Sequence, residues 1–237
     1  MKKDNILFGV AGLLLGAIIG FMFANSVNRN AMQPVAAQTA NSNSSVSNPA
    51  LPPDHPAIGT TGGDSNASGG MQPQVQAALE KAKNEPTNAD AQLAAGDMYY
   101  QIGRLEEAVK YYEAAAKLKP NDAATMIKTG NAYFDSDHFE DAEKWYSKVL
   151  EKDPKNVNVR TDLGLTFYLR TPKDIDRAIQ EYKASLAINP DHEITLQNLA
   201  LAYDDTGKKD ELAKTIEQLK KVNPNNPAVK KYEGKTQ

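Results

Sequence analysis

The chain of 237 residues reads as an all-α protein: a solenoid of about four helix pairs, preceded by one N-terminal transmembrane helix and a disordered linker. Three observations predict this. Pro86, Pro120, Pro154, Pro190 and Pro224 recur 34, 34, 36 and 34 residues apart. At such a period each helix pair buries its apolar face only by stacking on its neighbours. Ile6 to Ala24 is a run of 19 residues without a charge. Between the two, residues 28–71 are polar, aperiodic and almost uncharged.

Residues 1–5 carry Lys2 and Lys3 and are expected in the cytoplasm; 6–27 follow as the transmembrane helix. At 1.5 Å per residue the uncharged run spans roughly 28 Å, about the hydrocarbon thickness of a bilayer. Only Arg29 follows closely, so the excess of positive charge lies before the run. That bias places the N-terminus inside. The expected protein is single-pass, in an inner (cytoplasmic) membrane, with its repeat module periplasmic or extracellular. A cleaved signal peptide, releasing a soluble secreted module, is the alternative. Its apolar region would be about 7–15 residues with small residues at the cleavage site. Cleavage after Ala24 would put Met22 at the −3 position, which is too large. Gly12, Gly16 and Gly20 share one helix face. Small-residue faces let two membrane helices approach closely, which would make a homodimer.

Residues 28–71 are rich in Asn, Ser, Ala, Gly, Gln and Pro and hold few side chains able to build a core. They are expected to be disordered. Forty-four flexible residues reach roughly 35–40 Å, enough to hold the module above a membrane without fixing it. Residues 72–86 carry Val75, Ala78, Leu79 and Ala82 at helical spacing before Pro86 in register. They are expected to be the second helix of a degenerate repeat that caps the first full one. Residues 87–225 hold the four repeats. The tail 226–237 has a short apolar stretch, Ala228 to Tyr232, expected to form a helix over the last repeat.

Counting each repeat so that its closing proline is position 32, position 8 is Gly96, Gly130, Gly164 and Ala200. Position 11 is Tyr99, Tyr133, Phe167 and Tyr203; position 20 is Ala108, Ala142, Ala178 and Leu212. Position 24 is Tyr112, Tyr146, Tyr182 and Ile216, and position 27 is Ala115, Val149, Ser185 and Leu219. Small residues at 8 and 20 let two helix axes approach at their crossing, and aromatic rings at 11 and 24 fill the spaces beside it. The tyrosines are therefore core residues. Gly103, Gly207 and the pair Asp137-His138 mark the turns between the two helices of repeats one, four and two. Repeat three has two extra residues, with Asp174 as the expected N-cap of its second helix. Leu212 departs from the small-residue rule, and Ala213 is expected to take its role after a small shift.

From Ala89 onward this pattern resembles the tetratricopeptide repeat, a 34-residue pair of antiparallel helices. The resemblance covers about residues 87–224. It implies that the first helix of each repeat lines a concave groove through positions 2, 5, 9 and 12. On that basis the candidate partner contacts are Asp97, Tyr100, Ile127, Lys128, Asn131, Phe134, Thr161, Leu165, Tyr168, Gln197 and Leu201. The face is apolar and aromatic in its middle with acids and amides around it, and suits an extended peptide or a helix. Chaperone-binding members of the family grip a C-terminal carboxylate with Lys and Asn. Here Leu93, Asp97, Asn158 and Asp162 stand in the corresponding places, so that clamp is absent; Lys128 and Asn131 are left as candidate anion contacts.

The remaining chemistry is sparse. Lys and Arg number 27 against 30 Asp and Glu, divided 3 against 3 in residues 1–73 and 24 against 27 beyond. No basic patch for a phosphate backbone follows from that balance, so no nucleic acid is expected. There is no cysteine, which removes disulfides, thiolate catalysis and cysteine zinc sites. His55, His138 and His192 are scattered without metal-ligand spacing. No serine elbow, phosphate loop or strand pattern is present, so neither an enzyme nor a cofactor is expected. The expected function is a membrane-tethered protein-interaction scaffold. By resemblance such modules serve cytochrome c maturation or periplasmic chaperone and assembly complexes. The alternative of a different kind is a structural protein that associates with itself.

Overall fold

A computed structural model describes residues 73–232. The expected membrane helix with its glycine face, and the linker, lie outside the described residues. Among the described residues no helix is long and apolar enough to cross a membrane, and no strand occurs.

Ten helices follow one another within that span. They are α1 (Pro73–Asn84), α2 (Ala89–Gln101), α3 (Leu105–Leu118), α4 (Ala123–Asp135), α5 (Phe139–Lys152), α6 (Val157–Leu169), α7 (Ile175–Ile188), α8 (Glu193–Asp205), α9 (Lys209–Val222) and α10 (Pro227–Tyr232). Contacts run between sequential neighbours, and α6 also touches α8. The pairs α2–α3, α4–α5, α6–α7 and α8–α9 are the four repeats.

Local chemistry sets each boundary. Asn88, Asp122 and Asn156 cap the first helices of three repeats, each side chain accepting from backbone N–H groups of the first turn. The turns inside repeats one, two and four place Gly103, Asp137 and Gly207 at φ 74°, 60° and 67°. That left-handed region suits glycine and tolerates aspartate. Repeat three uses its two extra residues instead, and Asp174 accepts from the Arg177 N–H as an N-cap should.

The crossings are tight. Gly96, Gly130 and Gly164 lie against the rings of Tyr112, Tyr146 and Tyr182. Ala108, Ala142 and Ala178 are fully buried, as are Tyr146 and Tyr182. In repeat four Leu212 keeps its register: it is 3% exposed while Ala213 is half-buried. The expected shift to Ala213 does not occur, because position 24 there is Ile216 and the volume of a tyrosine is divided between Leu212 and Ile216. Volume-conserving exchanges of this kind are well tolerated in a core.

Both ends are closed. On α1, Val75 and Ala82 are buried, and Gln92 of α2 donates to the Ala82 carbonyl at 2.8 Å. On α10, Ala228, Val229 and Tyr232 are buried against the stack.

Candidate functional site

The first helices of the repeats, α2, α4, α6 and α8, are joined to one another by side chains. Lys128 of α4 donates to Asp97 of α2 at 2.6 Å. Tyr100 of α2 donates to Asp135 of α4, and Tyr168 of α6 donates to Asp205 of α8 at 2.6 Å. Thr161 of α6 shares a hydroxyl contact of 2.6 Å with Thr195 of α8. These bonds tie α2 to α4 and α6 to α8, and the last two helices also touch directly. The surface of the first helices is the candidate groove.

Two positional rules underlie the network, and sequence reading found neither. The first links position 24 to position 9 within a repeat. Tyr112 donates to Asp97 at 2.8 Å and Tyr146 to Asn131 at 2.9 Å. Repeat three has Leu165 at position 9, and the Tyr182 hydroxyl is buried with no partner. The second rule links position 12 to position 13 of the next repeat. Tyr100 meets Asp135 and Tyr168 meets Asp205, while the junction between repeats two and three carries Phe134 and Leu169 instead. Polar partners are replaced together by an apolar pair. The signal was available in the paired residue types, but only once the register of neighbouring repeats was known.

The eleven residues expected to meet a partner divide sharply. Phe134, Thr161 and Leu165 are fully buried, Asn131 is 1% exposed, and Tyr100, Tyr168 and Leu201 are 7% exposed or less. Phe134 packs edge-on to Phe139 with ring centroids 5.4 Å apart. Thr161 belongs to a hydroxyl cluster with Ser185 and Thr195. These seven hold the repeats together. Asp97, Ile127, Lys128 and Gln197 remain partly open to solvent.

The anion contacts expected of Lys128 and Asn131 are also changed. The Lys128 ammonium is paired with Asp97. Asn131 is closed off from solvent, and its side-chain oxygen accepts from Tyr146. The pair presents a neutral patch, in which any acidic group of a partner competes with Asp97 for Lys128.

Burial pushes the tyrosine hydroxyls up. Tyr112 and Tyr168 are raised first by desolvation and then by the carboxylates of Asp97 and Asp205. Asp135 is raised as well: loss of solvent pushes it up to about 8, opposed by the hydrogen bond from Tyr100 and assisted by Asp137, whose own carboxyl burial also pushes up. His138 and His192 stand at helix starts. Among the described residues no group of His, Asp and Glu is placed to hold a metal ion.

Comparison with known proteins bears on the same region. Residues 103–163 and 169–234 match a family model described as tetratricopeptide repeat, and residues 72–123 match a second model of that description. No curated protein matches the chain. Among solved structures, the crystal structure of MamA is similar at a TM-score of 0.56 and 24% identity, over 68% of this chain and 88% of that one. A MamA fragment, 41 to the end, from Desulfovibrio magneticus RS-1 is similar at 0.58 and 15% identity, over 65% and 85%. MamA of AMB-1 gives 0.56 and 20% identity, over 64% and 81%. At these identities the likeness is one of fold.

Proposed function

We infer the function from one premise: this chain belongs to the tetratricopeptide-repeat family. Its work is then to hold another protein, and the inner face of α2, α4, α6 and α8 is the surface that does so. The partner presents an extended peptide or a helix. It meets Ile127 and Gln197 as open contacts and Asp97 and Lys128 as an ion pair it can exchange with. The observation that carries this reading is the division of the inner face into a buried lateral network and a thin row of partly exposed side chains. Neighbouring repeats are locked by the first, which leaves the second pre-organised. Little ordering cost then falls on binding.

The uncharged run Ile6 to Ala24 and its flanking charges support a single-pass anchor in an inner membrane, N-terminus inside, with the repeats periplasmic or extracellular. Cytochrome c maturation and periplasmic chaperone or assembly complexes are settings that such a tethered module suits.

Site-specific photo-crosslinking tests the surface. A photoreactive residue at Ile127 or Gln197 should trap the same partner band, and one at the outward Glu140 or Lys183 should not. Lys128→Glu should weaken the adduct at Ile127. Crosslinking confined to the outward positions would overturn the reading. N-terminal sequencing of the mature protein tests the anchor: a terminus at Met1 or Lys2 is expected, and one beyond residue 24 would mean a released module.

A further inference from the structure

α1 and α3 leave a groove between them that no described helix covers. Leu79 and Pro86 contribute apolar surface to it, with Tyr111 and Ala114 from α3 and the charged ends of Glu80 and Lys83. The Tyr111 ring is held in place by stacking on Tyr99, with centroids 5.5 Å apart. A fixed aromatic beside aliphatic and proline surface is the kind of site that takes a proline-rich strand. Such strands are already extended and lose little entropy on docking.

The chain itself supplies one. Residues 1–72 lie outside the described structure and end where α1 begins, at the groove's own edge. The stretch just before α1, residues 59–72, carries Gly59, Gly62, Gly63, Gly69 and Gly70 and almost no apolar side chain. Composition argues against a covering helix from there, at about 1 kcal/mol for each glycine. The nearest apolar segment upstream is Leu51-Pro52-Pro53-Asp54-His55-Pro56-Ala57-Ile58. It and the preceding Pro49 hold four of the five prolines of residues 28–71.

We propose that residues 51–58 dock as an extended strand in the groove between α1 and α3. In polyproline II geometry the eight residues span roughly 25 Å, enough to run the whole of α1, whose 12 residues span about 18 Å. Fourteen residues, 59–72, intervene, and a Gly-rich linker of that length has an r.m.s. reach of roughly 20 Å. That matches a return along α1 and gives an effective concentration in the millimolar range. Leu51 and Ile58 gain apolar contact, prolines lie against Tyr111, and Asp54 comes within range of Lys83. Only the portion of 28–71 before residue 51 then remains as free tether. Docking therefore shortens the module's reach from its anchor, and release of the strand lengthens it.

The absence of native cysteine allows a direct test in the full chain, purified in detergent. One variant carries His55→Cys with Glu80→Cys. The control carries Ser65→Cys with Glu80→Cys, whose tether cysteine is nearer α1 in sequence. Glu80 is exposed and the other two positions lie outside the repeats, so the fold is left intact; far-UV circular dichroism checks this. Under mild oxidation a free tether closes the control faster, by roughly two- to threefold from loop length alone. The docked strand predicts the reverse order, with the His55→Cys pair closing at least tenfold faster within one molecule. Adding Leu51→Ser and Pro52→Ser should restore the order of a free tether. Faster closure of the control, or a His55→Cys product that forms only between two molecules, would overturn the proposal.

Discussion

A methyl group added at Gly130 tests the packing on which the stack depends. An ideal Cβ there would lie 2.7 Å from Tyr146 Cε1 and 2.9 Å from Cδ1, with Trp145 Cβ at 3.4 Å. Carbon atoms in good contact sit about 3.5–4.0 Å apart, so ring and helix must separate by close to an ångström. The ring has little freedom to yield: Tyr146 is fully buried, and its hydroxyl is bonded to Asn131 at 2.9 Å. Two effects oppose each other. Alanine is favoured over glycine in a helix interior by about 1 kcal/mol. Overpacking a well-filled core costs about 1–3 kcal/mol, and straining the buried hydrogen bond adds up to about 1 kcal/mol. The clash wins, and Gly130→Ala should lose about 1–2 kcal/mol. At roughly 2–4 °C per kcal/mol the melting point falls by about 2–8 °C. Tyr146→Leu removes the obstacle, and on that background Gly130→Ala should be neutral or stabilising by up to about 1 kcal/mol. Urea unfolding of the four proteins of this cycle, followed by far-UV circular dichroism, measures the coupling. A Gly130→Ala protein as stable as its parent would mean that the Gly130–Tyr146 crossing is not tightly packed.

Two further expectations come from the hydroxyl and carboxyl groups of the core. Tyr182→Phe removes a buried hydroxyl without a partner and should be neutral or stabilising, whereas Tyr146→Phe leaves Asn131 unpaired and should cost about 1 kcal/mol; equal effects in denaturant unfolding would contradict the pairing rule. Asp135 rises to about 8 on folding from about 3.9 in the unfolded chain, so the native state holds its proton across that range. Its contribution to stability therefore falls as pH rises from about 4 to about 8. Asp135→Asn should flatten that slope in a series of melting curves, and an unchanged slope would count against the burial of this carboxyl.

Much of the fold could be read from residue spacing because the repeat imposes it. The prolines marked the helix ends, the glycines and alanines marked the crossings, and Asp174 marked a cap that the structure shows. Single-position rules read well wherever one residue type answers one geometric need. They read poorly where two positions exchange volume, as Leu212 and Ile216 do. The candidate groove was less legible. Read within one repeat, positions 9 and 12 face the surface, but each is reached by a side chain from another helix. Asn131 receives Tyr146, and Tyr100 and Tyr168 reach carboxylates one repeat away. Whether an inner-face residue is open to a partner depends on its neighbours about 34 residues on, and a repeat read alone does not contain them. Of the eleven, Asp97, Ile127, Lys128 and Gln197 keep partial exposure.

A groove exists only if adjacent helix pairs are held together and stack as one unit. Urea unfolding of the fragment 72–237, followed by far-UV circular dichroism and tyrosine fluorescence, tests this most directly. The fragment should be helical over about three quarters of its length, with both signals lost in a single coincident transition. A weakly helical fragment, or helix lost gradually while the tyrosine signal changes at a different denaturant concentration, would contradict it.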